Sequence, residues 1–438
     1  MAAGHRVGPA RWETETDLLF TRVAPRFPRS TTLRRARAFA LGLLAELPRK
    51  NCWTLAEHAG DPDPHGMQYL LARAVWDTDG MRDDLRGYVT QHLGDPSGVL
   101  VVDETGDLKK GTHTAGVQRQ YTGTAGRIEN AQVAVYLTYA GTSTTGAPGH
   151  AMIDRELYLP KSWTQNPERC AAAGIPDDIA FATKPALATT MLARALDAGI
   201  PASWVTGDEV YGADPHLRAA LEDRQVGYVL AIGCNRQVPT ALGPVRADAL
   251  IKTVPKHAWQ HLSAGPGAKG HRFYDWALID LPAPPSATGR WWLLARRNHR
   301  TSELAFYRCY APRPVPLLEL VRVAGRRWTV EESFQAAKGL TGLDQHQVRR
   351  WLSWRRWTLL AMLAHALLAV LTATEHAAAP PPDGMIPLTC NEIARLFNRI
   401  IINPTRRIQD PWTWATWRRR HQHRAQTSHY QRQHTARP

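Results

Sequence analysis

Apolar positions along the chain change their spacing several times. Up to about residue 95 they recur at intervals of three and four, as in RRARAFALGLLAEL (34–47) and MQYLLARAVW (67–76), which predicts amphipathic helices. From Ser97 they gather into short runs, VLVVD (99–103), AQVAVYLTYA (131–140) and MIDRELYLP (152–160), joined by Gly- and Thr-rich connections. Three such strands in sequence pair as a meander. Helical spacing returns in KPALATTMLARALDAG (184–199) and leads to a strand in SWVTGD (203–208). A further helix, DPHLRAALEDR (214–224), leads to a strand in YVLAIG (228–233). Crossovers of this length favour parallel pairing.

Beyond Cys234 the texture changes again. Prolines and glycines separate the β-like runs FYDWALIDL, WWLLAR and LAFYRCY, and from about Leu317 the chain is helical through Thr374. PPPDG (380–384) breaks this pattern before an arginine-rich end. The expected organisation is a helical N-terminal domain over 1–95, a core over 96–234 and 316–378, a β-rich insertion over 235–315 and a basic C-terminal region over 379–438. The fold class is α/β, a mixed sheet flanked by helices. Trp357–Thr374 is long enough to cross a bilayer. It holds His365 and many alanines and has no companion span, so a helix buried inside the protein is expected, and no membrane.

Composition narrows the functional classes. A chain of 438 residues buries a large core unaided. Its five cysteines are scattered and form no Cys-x-x-Cys pair, so neither a disulfide framework nor a zinc site is indicated, and a reducing cytoplasm fits. The N-terminus has no secretory signal pattern. A formal net charge of +15 predicts attraction to polyanions, nucleic acid above all, although an arginine-rich coding background raises the same total. Arg418, Arg419 and Arg420 lie among Trp412, Trp414, Trp417 and Tyr430 with one acid, Asp410, a mixture suited to phosphate contact and base stacking.

The candidate chemistry sits where these elements meet. Asp103 and Asp208 each close an apolar run, which places each at the C-terminal end of a strand, where mixed sheets open their sites. Either alone reads equally well as a turn cap. Two on adjacent strands begin to define a site for a hard cation such as Mg²⁺. In RRWTVEESFQAAKG, residues Arg327, Glu331 and Lys338 are four and seven apart and share a helix face about 16 Å long. An exposed helix with favourable ion pairs has the same spacing. The positions corresponding to Glu332 are Trp328 and Gly339, so register selects Glu331. Lys109 and Lys110 open a glycine-rich connection, GTHTAGVQRQYTGTAG, that can approach a DNA backbone. Glu104, Asp107, Glu209 and Asp223 could enter a metal shell but read more simply as solvated, and Trp291, Trp292 and Arg296 read as sheet core, with DNA contact as the alternative.

In order and spacing, VVDETGDLKKG, VQRQYTGTAGRIENAQVAVY, LYLPKSW, WVTGDEVYG and GLDQHQVR, spread over about residues 97–350, resemble bacterial insertion-sequence transposases of the DDE type, whose core is ribonuclease-H-like. The Tyr-x2-Arg-x3-Glu-x6-Lys signature found in some of them is matched at Arg327, Glu331 and Lys338, with Ala324 at the tyrosine position. The resemblance implies Asp103, Asp208 and Glu331 as catalytic acids holding two Mg²⁺ ions, with Mn²⁺ able to substitute. It implies phosphate binding by Arg327 and Lys338, and cutting and joining of double-stranded transposon ends and target by a homodimer or larger assembly at the nucleoid. DNA contacts are also expected from Lys109, Lys110 and Arg418 to Arg420. A structure-specific nuclease or resolvase on the same core fits as well, and so does a transposase-derived DNA-binding regulator, although the intact acid set argues against the last.

Overall fold

The computed structural model describes residues 8–142, 146–267, 270–284, 288–378, 386–403, 414, 416–425 and 428. PPPDG, Trp412 and Tyr430 lie outside the described residues. The helical spacing ahead of residue 95 is realised as α1 (Pro9–Val23), α2 (Ser30–Leu44), α3 (Cys52–Ala59), α4 (His65–Ala72) and α5 (Thr78–Leu93). Asn51 accepts hydrogen bonds from the Trp53 and Thr54 amides, and Asp77 from those of Asp79 and Gly80. These caps satisfy donors that a first helical turn leaves open.

The apolar runs then form β1 (Val99–Leu108), β2 (Gln118–Thr122), β3 (Arg127–Thr142) and β4 (Pro148–Leu157). Two expectations need correcting. β1 does not stop at Asp103 but pairs with β3 as far as Leu108↔Ala131, so Asp103 is in mid-strand. β2 lies in the stretch expected to be a glycine-rich connection. Its QRQYT pairs with the start of β3, and an exposed edge strand of this kind carries little apolar signal.

Two short helices, α6 (Lys161–Thr164) and α7 (Pro167–Ala173), precede α8 (Lys184–Asp197) and β5 (Trp204–Gly207). Then come α9 (Glu209–Gly212), α10 (Pro215–Asp223) and β6 (Gly227–Ile232). β5 pairs parallel with both β1 and β6, as the crossovers predict. The order β4-β3-β1-β5-β6, three antiparallel strands followed by two parallel ones, is the expected ribonuclease-H-like sheet.

After a two-residue ladder, β7 (Gln237–Val238) with β8 (Val245–Arg246), and α11 (Ala247–Leu250), the chain forms β9 (Gln260–Gly267), β10 (Gly270–Leu281), β11 (Arg290–Arg297) and β12 (Leu304–Ala311). β12 pairs antiparallel with β6, so these strands prolong the core sheet in the order β6-β12-β11-β10-β9. Trp291 and Trp292 are buried in this extension, and Arg296 stacks 4.6 Å over Tyr274.

Next come α12 (Leu317–Arg326), α13 (Trp328–Thr341), α14 (Trp351–Ala378) and α15 (Cys390–Phe397). α14 contains the membrane-length stretch, and 83% of its apolar window is buried by α2, α4, α5, β4 and their neighbours. A helix apolar on all sides is covered on all sides. Successive residues of β4 mark the two sheet faces. Asp154 meets Arg194 of α8 at 2.7 Å, whereas Arg155 donates to the Arg355 carbonyl of α14 at 2.7 Å.

Candidate active site

Side-chain alternation along β1 distributes its polar residues between the two faces. Asp103 is paired in register with Tyr136, whose ring packs edge-on to Phe334 of α13 at 5.4 Å, so Asp103 points to the α13 side. Thr105 and Asp107 follow on that side. Thr105 accepts from Lys338 Nζ at 2.7 Å, and Asp107 shares a 3.0 Å hydrogen bond with His346. Glu104 points the other way, toward Lys184 Nζ of α8 and the Tyr211 hydroxyl of α9, each at 2.6 Å.

The parallel ladder between β1 and β5 ends at Val102↔Gly207. The next residue on each chain is therefore Asp103 on one and Asp208 on the other. Asp208 caps α9, its Oδ1 accepting from the Val210 amide at 2.8 Å. α9 in turn is seated on β6, because a Cβ at Gly212 would lie 1.8 Å from the Ala231 carbonyl oxygen. Burial, then the charges of Asp208 and Glu104, push the Asp103 carboxyl up to about 8, against the Glu104 amide and Arg327. Burial and Glu104 likewise raise Asp208. The pair is short of positive charge, the deficit a hard cation with oxygen ligands would fill.

Arg327 supplies part of that charge from the junction between α12 and α13. It bears on both aspartates and pairs with Glu331 at 3.2 Å, one helical turn away. Glu332 faces elsewhere, 3.3 Å from His150 of β4, and that contact holds its carboxyl below the usual range. Register thus brings Glu331, and not Glu332, beside the arginine that the aspartates share. Among the described residues no three His, Cys, Asp or Glu side chains are gathered closely enough to hold an ion. Two carboxylates adjoin, and the third is engaged by Arg327. Lys338, near the far end of α13, is also within 3.2 Å of Thr124 Oγ1. That end is anchored by Lys50, whose Nζ donates to the Leu340 carbonyl and whose amide donates to Gln345 Oε1 at 2.6 Å. Gly342 ends the helix at φ 62°, a left-handed conformation that suits glycine.

The remaining candidates divide by exposure. Lys109 turns inward, with Nζ 3.1 Å from the His346 carbonyl, and burial lowers its pKa; Lys110 is exposed. Arg418 pairs with Glu57 at 3.1 Å, while Arg419 and Arg420 are exposed. Trp414 is buried and donates to the Asp61 carbonyl at 2.9 Å, and Trp417 packs on Trp53 at 4.7 Å. Trp414 therefore serves as an anchor for the C-terminal segment instead of a stacking surface. Glu104 and Asp107 also depart from expectation, since both have partners and are not solvated; Glu209 and Asp223 are exposed. Sequence reasoning missed His346, which closes the far end of β1; its only signal was its place in GLDQHQVR.

The family model of the DDE superfamily endonucleases matches residues 22–252, more than half of the chain, and the chain belongs to that family. The matched segment includes Asp103 and Asp208 and stops short of Glu331. Over 215 residues the chain is 26% identical to the probable transposase for insertion sequence element IS701 of Microchaete diplosiphon, covering 48% of this chain and 52% of the relative. It thus spans about half the length of that curated relative. Among solved structures it is similar to the piggyBac transposase synaptic complex with hairpin DNA, with a TM-score of 0.41 and 10% identity, over 90% of this chain and 80% of that one.

Proposed function

We propose that the chain is a DNA transposase that cuts the ends of its element and joins them to target DNA. The observation that carries this reading is the adjacency of Asp103 and Asp208 beyond the last parallel pair, with Arg327 and Glu331 alongside. Asp103, Asp208 and Glu331 are the residues that would hold Mg²⁺, or Mn²⁺ in its place, and their all-oxygen donor set suits either. Such ions neutralise charge building up on the phosphoryl group and favour in-line displacement. Arg327 and Lys338 bind and orient the scissile strand. A phosphate that takes Arg327 away from Glu331 leaves the Glu331 carboxylate free to turn toward the aspartates. The helices before residue 95 and the exposed Arg419 and Arg420 hold the duplex ends, in a dimer or larger assembly at the nucleoid.

The test is incubation of the chain with Mg²⁺ and its own element's ends, followed by mapping of cut and joined strands. Glu331→Gln should abolish both reactions, by at least about a hundredfold, without weakening duplex binding. Undiminished joining by that variant would remove Glu331 from the mechanism.

A further inference from the structure

A second polar cleft adjoins the far side of Asp208. Its volume is about 590 Å³, and its walls include Glu209, Gly212, Arg218, Asn235, Arg236 and Arg308. Arg218 comes from α10 and donates to the Gly212 carbonyl. Arg236 follows β6, and Arg308 is in β12, opposite Leu230 of β6 and Leu293 of β11.

Among the described residues no carboxylate forms an ion pair with any of these three arginines. Arg26, Arg35, Arg82, Arg194 and Arg355, by comparison, all have acidic partners, and what sets Arg218, Arg236 and Arg308 apart from other unpaired arginines is that all three line one open cleft. Arg308 Nε is buried without a hydrogen-bond acceptor. Burial, and then the charge of Arg218, lower the Arg308 pKa, while Tyr228 and Glu222 oppose them. Guanidinium groups crowded around open space, with donors unspent, are arranged for an anion. Glu209 on the same wall adds a negative charge. A singly charged phosphodiester suffers less from it than a doubly charged terminal or free phosphate does. The cleft is also fixed relative to Asp208, since Glu209 is the next residue and Gly212 seats that turn on β6.

We propose that this cleft binds a backbone phosphodiester of the DNA strand leading away from Asp208, through Arg308 and Arg236. The inference rests on the transposase reading and deepens it by naming a contact outside the acid cluster.

The experiment measures binding of a fluorescent duplex bearing the element's end to the full chain by anisotropy, across about 50–200 mM salt. R236Q, R308Q and the double variant are compared with wild type. Each substitution should weaken binding by about tenfold and make the plot of log affinity against log salt shallower by about 1. The melting temperature of R308Q should equal or exceed that of wild type, because no ion pair is lost. If R308Q instead melts lower, R236Q carries the test, since Arg236 is exposed and its loss leaves the core untouched. Unchanged affinity and slope in R236Q and the double variant would overturn the proposal. So would binding of inorganic phosphate to wild type but not to R308Q that leaves duplex affinity unchanged. Cutting by wild type together with unchanged slopes would sink this inference alone. Cleft-dependent binding without any cutting would sink the transposase reading and leave the cleft standing.

Discussion

Asp103 shows how a single carboxyl couples chemistry to stability. Its folded pKa of about 8 lies far above the value of about 3.9 for an unfolded aspartate, so between these limits the folded chain holds the extra proton. Without metal, the stability Asp103 contributes is full below about pH 4 and is lost as pH rises through 8. Asp103→Asn should therefore abolish cleavage and yet stabilise the metal-free chain at pH 8 by on the order of a few kcal/mol, seen as a higher melting temperature, with little change at pH 4. Equal shifts at both values would refute the account. Apolar runs and helix register nominated Asp103, Asp208 and Glu331 from the sequence, and the structure puts the two aspartates on adjoining strands with Arg327 and Glu331 alongside. The roles of Glu104, Asp107, Lys109 and Trp414 could not be read there, because each depends on a partner far away in the chain: Lys184 and Tyr211, His346, or Asp61. A charged or amphipathic side chain is pulled inward by what it meets there, which local pattern does not record.

Elements were legible in proportion to how completely they are wrapped in apolar side chains. VLVVD, AQVAVYLTYA and the α14 stretch were, being walled in by the core. The second half of β1, ETGDL, was not, because its side chains meet Lys184, Lys338 and His346 instead of apolar neighbours. α14 makes a pH prediction of its own. His365 is buried, and desolvation lowers its pKa to about 3, against about 6.5 when unfolded. Between these values the unfolded chain binds the additional proton, so stability is lost as pH falls from 6.5 toward 3. His365→Leu should flatten that acid limb by on the order of a few kcal/mol, followed as the denaturation midpoint at pH 7 and pH 4. An unaltered difference between the two midpoints would show that His365 does not govern it.

At the scale of the whole molecule, the β-rich section is hydrogen-bonded into the core sheet through Phe306↔Ile232 to Tyr310↔Tyr228. Composition marks where this section begins, but the pairing of its last strand with β6 is a long-range choice that no local run announces. Excising residues 235–315 would strip β6 of a neighbour and bare a new edge. The shortened chain should be insoluble or aggregate, and a monodisperse, cooperatively melting product on size exclusion would show the section to be separable. The surplus of positive charge predicts steep weakening of duplex binding with salt, and a flat plot would reject it.

On the proposed transposase reading, the Arg327–Glu331 pair would be an idle state. If the same arginine that holds Glu331 is the one a phosphate claims, nucleic acid and cation should each tighten the other's hold by one common factor, since such linkage is reciprocal. Calorimetric titration of Mg²⁺ should then show feeble uptake by the chain alone and strong uptake once duplex is present. On that reading the chain would leave free magnesium alone until it holds a strand to cut.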